Sequence, residues 1–321
     1  MLFGEYVRQR QLKWALAGNI PADALEERHG KTSWVLKRDQ QKQNLFQETW
    51  WQYIEGKEHR WARALNSSQC FAVNVFAPMR DDPVCARAVL QSLLPSRDIL
   101  PQDDVSVDFE STPKGAPEWL GERGQPTQID VYLQVTRSGR CIGHVLVEVK
   151  FTEPSFGCCR GWKAPPDKRS RNPDRCLQSS EIVSSPDTNC WLAENEGRKY
   201  WRIMSAPGSS IRQDAVRAAD PCPFRYGLYQ MMRNRVLADE LARQTGAEWS
   251  EFVVCRHPGN EQVTVLKESV SSVNDAIEAF QSLSSKQAVL EWNPAEIVRI
   301  IAAFDDRLKV WGMWMTDRYF G

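Results

Sequence analysis

In the stretch Ile129–Glu153, IDVYLQVTRSGRCIGHVLVEVKFTE, two apolar-rich runs flank a Ser-Gly pair. Such runs around a tight turn predict a β-hairpin. Asp130 nevertheless lies near the start of the first predicted strand, and Glu148 and Lys150 lie near the end of the second. Because burying an unpaired charge is costly, charges on strands of core composition require either a structural or a chemical explanation.

The chemical explanation starts from strand geometry. Alternate residues share a face, so Glu148 and Lys150 point to one side of the second strand and Val149 points to the other. Carboxylates on neighbouring strands, Asp130 and Glu148, would supply oxygen ligands for Mg²⁺ or Mn²⁺, and the main-chain carbonyl of Val149 could add another. Lys150 would orient water or stabilise negative charge during phosphodiester hydrolysis. The alternative is a solvated face or a strand-end salt bridge; the neighbouring Leu146 disfavours it by indicating burial of both faces.

The overall composition limits the partners of the chain. Its 321 residues are 42% hydrophobic and 26% charged, with 41 Lys plus Arg against 41 Asp plus Glu. The net charge is therefore zero and does not attract nucleic acid or an anionic membrane. Binding such a partner needs a local patch of positive charge. The sequence has neither a signal-peptide pattern nor a membrane-spanning run, which predicts a soluble cytoplasmic protein without a membrane partner. Nine cysteines favour reduced thiols or a metal site over a disulfide framework.

Hydrophobic periodicity predicts an α/β fold. The predicted elements are helical segments over about 45–77, strands at 105–110, 129–135, 142–151 and 251–257, a helix from Asp220 to Gly246, and helices near 268–284 and 294–309. Residues 152–222 have little periodicity and contain five cysteines, which indicates an insertion. The predicted order is thus helix, three strands, insertion, helix, strand and helices.

This order, with Asp on one strand and Glu-x-Lys on the next, resembles the PD-(D/E)XK nuclease superfamily. The runs NSSQCFAVNVFAP, VDFE, QIDVYL, VEVKFTEPSFG and CPFRYGLYQMMRNRVLA are similar to bacterial families assigned to restriction endonucleases, over roughly residues 55–260. Ile129 replaces the usual Pro before Asp130, so the first motif is relaxed, while Glu148-Val149-Lys150 is intact. The resemblance implies a restriction-endonuclease-like mixed sheet flanked by helices. It also implies metal-dependent cleavage of DNA or RNA, with a role in restriction or defence against foreign DNA.

Further site residues follow from the same resemblance. Superfamily members often have another acid on the first helix or first strand, and Glu58 and Glu110 are the candidates for a metal ligand here. Gln230 is similar to the glutamine that exonuclease-type members use beside the metal, so we predict it as catalytic. The helix residues predicted to contact nucleic acid are Gln69, Arg233 and Asn234. A plain N-cap for the region of Gln69 and a solvated face for the other two are the alternatives.

The insertion is basic and rich in cysteine. Its residues predicted to bind phosphates are Arg160, Lys163, Lys168, Arg169 and Arg171. Its thiols are enough for a structural Zn²⁺ or an iron-sulfur cluster, and they are Cys158, Cys159, Cys176, Cys190 and Cys222. Because their spacing is not Cys-x-x-Cys, unbound thiols are the alternative, as a solvated loop is for the basic run.

The predicted organisation has three parts: an N-terminal helical extension at 1–44, a nuclease core at 45–267 that includes the insertion 152–222, and C-terminal helices at 268–321 that pack on the core. The predicted function is a Mg²⁺-dependent nuclease with DNA as its substrate. The alternatives are a non-catalytic nucleic-acid-binding module on the same fold and a structural or interaction protein.

Overall fold

The structure, a computed structural model, describes residues 2–124, 126–163, 176–270, 272–285 and 287–321. The strands are β1 (Leu25–Arg28), β2 (Lys31–Leu36), β3 (Asp104–Ser111), β4 (Ile129–Arg137), β5 (Arg140–Lys150), β6 (Trp249–Arg256), β7 (Val265–Val270), β8 (Val273–Asp275) and β9 (Leu290–Trp292). The longer helices are α1 (Phe3–Trp14), α2 (Ser68–Asp81), α3 (Pro83–Leu93), α11 (Tyr229–Thr245) and α13 (Pro294–Phe304). The shorter helices are α4 (Ala116–Leu120), α5 (Arg160–Lys163), α6 (Ser179–Ser184), α7 (Pro186–Asn189), α8 (Trp191–Glu196), α9 (Tyr200–Met204), α10 (Gln213–Ala218), α12 (Ala276–Ser282) and α14 (Lys309–Met315).

A five-stranded mixed sheet in the order β3-β4-β5-β6-β9 forms the centre of the fold. β3, β4 and β5 are a meander with antiparallel pairing, whereas β6 runs parallel to β5 and β9 runs parallel to β6. The predicted α/β fold with a mixed sheet flanked by helices is therefore confirmed. The sequence predicted the first four of these strands but not the short β9.

The β4–β5 hairpin closes through the predicted Ser138-Gly139 turn. Both residues have positive φ, 51° and 78° respectively. A two-residue turn of this kind twists in the same sense as the strands it joins and pairs Arg137 with Arg140. A register shift between Val135 and Thr136 then brings Val135 opposite Gly143 and sets the register of the rest of the hairpin. That register decides which charged side chains of the two strands meet.

The two faces of β5 are covered by different helices. Val145, Val147 and Val149 contribute to a large apolar cluster with α2, α3, α13 and α14. Leu146 faces a second cluster, to which α9, α11 and α12 contribute. Since alternate residues share a face, Glu148 and Lys150 lie on the side of Leu146, beneath α11. The predicted burial of both faces of this strand is confirmed, with Leu146 and Val149 fully buried.

The helical prediction for 45–77 is partly wrong. A 3₁₀ segment at Glu48–Tyr53 replaces its first part, and α2 continues past Pro78 to Asp81. Proline removes the hydrogen bond to the carbonyl four residues earlier. That carbonyl, of Asn74, instead accepts a hydrogen bond from the indole Nε1 of Trp311 at 2.9 Å. A tertiary contact thus replaces the missing helical bond.

The helix predicted from Asp220 begins later, at Tyr229, and ends at Gly246 as predicted. Phe224 and Leu228, which belong to the predicted apolar stripe, are buried in the second cluster from the segment before the helix. The predicted helix near 268–284 is also shorter, because the β7–β8 hairpin occupies its first part and α12 covers only Ala276–Ser282. Apolar residues in these segments are buried by tertiary packing. Hydrophobic periodicity alone does not distinguish such a segment from a helix.

At the N-terminus, the predicted helical extension contains α1 but also the β1–β2 hairpin, which the sequence did not reveal. At the other end, Ile297 and Trp311 of α13 and α14 lie in the first apolar cluster with the central sheet. Among the residues described, the helices are too short or too polar to cross a membrane.

Candidate active site

Three carboxylates form a row across three neighbouring strands. Phe109 pairs with Val131, and Val131 pairs with Val147, in the β3–β4 and β4–β5 ladders. Continuing each register by one residue places Glu110 opposite Asp130 and Asp130 opposite Glu148. These three residues form the row. All three line a cleft of about 340 Å³, which we call the carboxylate cleft. The hairpin register thus brings together Asp130 and Glu148, the two predicted acids, which are 18 positions apart in the sequence.

Asp130 is the half-buried centre of this row. Its Oδ2 accepts a hydrogen bond from the main-chain N–H of Val149 at 2.7 Å, which fixes the carboxylate against β5. Burial raises the pKa of Asp130 well above its ordinary value, and the negative charges of Glu148 and Glu110 raise it further. Without a cation the cleft therefore favours the protonated form of Asp130, whereas a bound cation would favour the ionised form.

Glu148 and Lys150 are buried and held by α11. Oε1 of Glu148 lies 2.7 Å from Nζ of Lys150 and accepts from Nε2 of Gln230 at 3.0 Å, while Oε2 accepts from Nδ2 of Asn234 at 2.8 Å. The amide of Gln230 also reaches back, because its Oε1 accepts a hydrogen bond from Nζ of Lys150 at 3.1 Å. Gln230 therefore contacts both charged residues of the Glu-x-Lys motif.

The surroundings of Lys150 keep its ammonium charged. Burial by itself would lower the pKa of Lys150, but the carboxylates of Glu148, Glu153 and Asp130 together raise it above its ordinary value. A lysine that stays protonated is unsuited to accept a proton from water. Its positive charge is instead available to stabilise negative charge in the cleft.

Glu110 completes the row, whereas Glu58, the other predicted acid, is exposed and is not among the residues of the carboxylate cleft. Oε1 of Glu110 accepts from Nε2 of Gln69 at 2.9 Å, and Oε2 lies 3.2 Å from Nε2 of His59. Its φ of 47° is in the left-handed region, which costs a non-glycine residue of the order of 1–3 kcal/mol. Hydrogen bonding to Glu110 raises the pKa of His59 despite the partial burial of the imidazole.

The predicted main-chain ligand, the carbonyl of Val149, accepts a hydrogen bond from Oγ of Ser68 at 3.1 Å. A carbonyl oxygen has two lone pairs, so this bond leaves one acceptor position. Val149 therefore links β5 to the first turn of α2 on the first face, while its N–H holds Asp130.

The protein groups of the cleft suit a cation that keeps much of its water. Among the described residues, no three or more His, Cys, Asp or Glu side chains form a group that could hold a metal ion. Mg²⁺ usually takes only one or two carboxylates and keeps several waters. Asp130 and Glu148 match that donor set. The four lone-pair positions of the Glu148 carboxylate also exceed its three contacts with Lys150, Gln230 and Asn234.

The predicted nucleic-acid contacts are distributed unevenly. Arg160 and Arg233 line the carboxylate cleft. Nε of Arg160 donates to Glu196 at 3.0 Å, and Nε of Arg233 is buried without a hydrogen-bond partner among the described residues. Gln69 and Asn234, by contrast, are buried and bonded to carboxylates, so both support the acidic row. Lys168, Arg169, Arg171 and the side chain of Lys163 lie outside the described residues.

Four of the five predicted cysteines lie in one region. Cys159, Cys176 and Cys190 pack against the apolar cluster that contains Cys222, and the main-chain N–H of Cys222 donates to the carbonyl of Cys176 at 2.8 Å. Burial raises the pKa of the Cys222 thiol, and the charges of the other three thiols raise it further. Cys158 instead forms a β-bridge with Tyr226. The thiols are thus near one another, but three of them do not converge as a preformed metal group among the residues described.

The sequence did not identify His59, Ser68 or Arg198 as site residues. His59 bonds to Glu110, Ser68 bonds to the carbonyl of Val149, and Arg198 lines the cleft beside Arg160. None of these three belongs to a spaced motif. The one usable signal is the proximity of His59 to Glu58, in a segment that the sequence already linked to the site.

A protein-family model described as Restriction Endonuclease associating with ARP matches residues 13–320. The match includes every strand of the central sheet and every residue of the carboxylate cleft. No curated protein and no solved structure matches the chain.

Proposed function

Because this chain belongs to the family of restriction endonucleases associating with ARP, we propose that it is a Mg²⁺- or Mn²⁺-dependent nuclease that hydrolyses phosphodiester bonds, with DNA as substrate. The observation that carries this proposal is the pairing of Asp130 and Glu148 on adjacent strands with the charged Lys150 beside them. The same arrangement supports membership of the PD-(D/E)XK superfamily. A role in restriction or defence is part of the proposal and rests on the family.

In this proposal Asp130 and Glu148 hold the cation, and Glu110 adds negative charge at the edge of the cleft. A bound divalent cation would supply Lewis-acid stabilisation of the phosphate and lower the pKa of a bound water. Asp130 is kept in place by the N–H of Val149, and Glu148 is kept in place by Gln230 and Asn234. These bonds limit the reorganisation that binding requires.

Lys150 has the role of stabilising the phosphate as negative charge develops on it. Its ammonium stays protonated, is buried, and has its direction set by Glu148 and by Oε1 of Gln230. Electrostatic stabilisation from a pre-positioned group is strong in a site of low dielectric constant. Arg160 and Arg233 at the cleft supply positive charge for the flanking phosphates.

The decisive experiment compares wild type with Glu148→Ala on plasmid, linear duplex and single-stranded DNA and on RNA, with Mg²⁺, Mn²⁺ or EDTA. We expect metal-dependent cleavage by wild type and loss of roughly 100-fold or more in Glu148→Ala. Glu296→Ala, which changes a half-exposed glutamate on α13, is the matched control and should cut normally.

The other outcomes identify the competing functions. Nucleic-acid binding without cleavage under any condition would favour a non-catalytic binding module. Neither binding nor cleavage would favour an interaction protein, in which the buried pair of Glu148 and Lys150 is structural. Cleavage that continues in EDTA, or that Glu148→Ala does not reduce, would contradict the proposed chemistry.

A further inference from the structure

A second cleft of about 340 Å³ contains two exposed tryptophans. Trp34 is 37% exposed and Trp61 is 55% exposed. The guanidinium of Arg8 lies over the ring of Trp34 at 5.1 Å, and that of Arg60 lies over the ring of Trp61 at 5.2 Å. We call this the tryptophan cleft, and its lining includes Arg8, Trp34, His59, Trp61, Asn66 and Glu153.

The tryptophan cleft adjoins the carboxylate cleft at His59. His59 lines both, and its imidazole contacts Glu110 at 3.2 Å. Glu153 lies in the tryptophan cleft, and its Oε2 accepts a hydrogen bond at 2.9 Å from the main-chain N–H of Phe151, the residue after Lys150. A strand whose phosphate occupies the carboxylate cleft can therefore extend past His59 into the tryptophan cleft.

The chemistry of the cleft suits a flat aromatic ligand attached to a phosphate. Exposed indole rings provide large apolar faces, and guanidinium planes also stack on bases. Stacked arginines add positive charge beside those faces. His59 and Asn66 place imidazole and amide groups in the same cleft, where they can bond to polar edges of a ligand. An apolar peptide would use the rings but would not need the flanking guanidinium groups.

We propose that the tryptophan cleft stacks an unpaired nucleobase of the nucleic acid whose backbone occupies the carboxylate cleft. This inference rests on the proposed nuclease function and specifies its substrate class. A base paired inside a duplex does not expose its face, so the cleft selects single-stranded segments or junctions beside the cleaved bond. The preferred substrate is therefore a strand with at least one unpaired nucleotide next to the scissile phosphate.

The test uses binding in EDTA, so that it is independent of cleavage. Affinity is measured for single-stranded oligonucleotides of one sequence, in which a single abasic site is moved along the strand. We expect one abasic position to weaken binding to wild type by roughly fivefold to 100-fold, the usual range for loss of one stacked base. At that position the penalty should disappear in Trp61→Ala and Trp34→Ala, because the base has lost its partner.

The controls separate stacking from a loss of fold or of general charge. Trp61→Phe should restore much of the affinity, and Phe304→Ala, a change at a 38% exposed aromatic residue outside the cleft, should behave as wild type. Each variant is checked for wild-type thermal stability before binding is measured.

The result that would overturn the inference is an abasic penalty that stays the same in both tryptophan variants. Absence of any nucleic-acid binding by wild type would also overturn it. Cleavage of fully paired duplex with no preference for unpaired positions, and with unchanged rates in Trp61→Ala, would reject the inference while leaving the proposed nuclease function in place. Binding with the expected abasic pattern but no cleavage would reject the nuclease function alone.

Discussion

Asp130 and Glu148 lie one residue beyond Val131 and Val147, the last pair at that end of the β4–β5 ladder, and the two side chains line the same cleft. Burial raises the pKa of Asp130, and the neighbouring charge of Glu148 raises it further. In the absence of a cation, the ionised pair is therefore unfavourable for the folded state. This relationship predicts opposite effects of one substitution on stability and on metal binding.

We expect Asp130→Asn to be more stable than wild type in EDTA at pH 8. The Asp130 carboxyl ionises near its ordinary pKa of 3.8 in the unfolded chain but at higher pH in the folded chain. Its ionisation thus destabilises the fold as pH rises through that window, and the penalty is complete above the folded pKa. Removing it should raise the free energy of unfolding of the variant above that of wild type at this pH.

Urea unfolding at pH 5, 6.5 and 8 measures this effect. The advantage of Asp130→Asn should shrink as the pH falls, because protonation of Asp130 removes the same charge from wild type. Mg²⁺ should stabilise wild type and do so more at pH 8 than at pH 5, while stabilising the variant little. A variant that is less stable at every pH would show that the charge of Asp130 is needed by the fold itself.

Lys150→Ala should abolish most cleavage while leaving nucleic-acid affinity almost unchanged. The substitution removes positive charge from the place where negative charge develops, and a loss of roughly 100-fold or more in the cleavage rate is typical for one such group. Asp130 and Glu148 remain, so high Mn²⁺ should not restore the activity. Asp130→Asn weakens the cation site instead and should recover part of its activity at high metal concentration.

Single-turnover cleavage over a range of Mn²⁺ concentrations separates these two variants. Lys309→Ala, at a 64% exposed lysine side chain, is the matched control for loss of one positive charge. Equal cleavage by wild type and Lys150→Ala on every substrate would mean that the Glu-x-Lys residues serve the structure only.

The sequence predicted the central elements of the site because strand geometry is local. Apolar patterning and the Ser138-Gly139 turn predicted the β4–β5 hairpin, and period-two alternation put Glu148 and Lys150 on one face. The i, i+4 spacing of Gln230 and Asn234 likewise predicted a shared helix face, and both bond to Glu148. In each case the related residues lie within one local element, which is a hairpin, a strand or a helix.

The remaining features depend on contacts between distant segments. Glu110 and Glu58 were equivalent in the sequence, and only the β3–β4 register and the bond from Gln69 distinguish Glu110. The sequence also does not indicate the positive φ of Glu110, because glutamate rarely adopts that backbone conformation. The delayed start of α11 has a similar cause, because Phe224 is buried by tertiary packing and not by a helical stripe.

Gln230→Ala should reduce cleavage more than Asn234→Ala does. Gln230 bonds to both Glu148 and Lys150, so its loss frees the lysine as well as the carboxylate, whereas Asn234 bonds to Glu148 alone. We expect about a tenfold or greater loss of rate for Gln230→Ala, from misplacement of the group that stabilises charge. Asn234→Ala should act chiefly by raising the metal concentration needed for half-maximal rate.

Metal titrations of the cleavage rate distinguish these positioning roles from a loss of fold. Gln230→Glu provides a further comparison, because its carboxylate can accept from Lys150 but cannot donate to Glu148. Identical maximal rates and metal dependences for both alanine variants would contradict the different roles of the two amides.

The buried thiols should react slowly with iodoacetamide in the native protein. Burial raises the pKa of Cys176 from an ordinary 9.0 to about 11, with a further contribution from the charge of Cys190. Because the thiolate is the reactive form, a rise of this size lowers its fraction at pH 7.5 by about 100-fold. Cys159, which is partly buried, and Cys222, which is buried, also have raised pKa values and should be slow for the same reason.

Mass spectrometry of peptides after timed alkylation, with urea-unfolded protein as the reference, measures each rate. A bound Zn²⁺ or iron-sulfur cluster would slow the same thiols by ligation, so metal content must be determined on the same sample. One zinc per chain, together with faster alkylation after chelation, would support the predicted structural metal. Slow alkylation that a chelator does not change, in metal-free protein, would reject that metal and leave burial as the cause. Fast alkylation of native Cys176 would contradict its raised pKa.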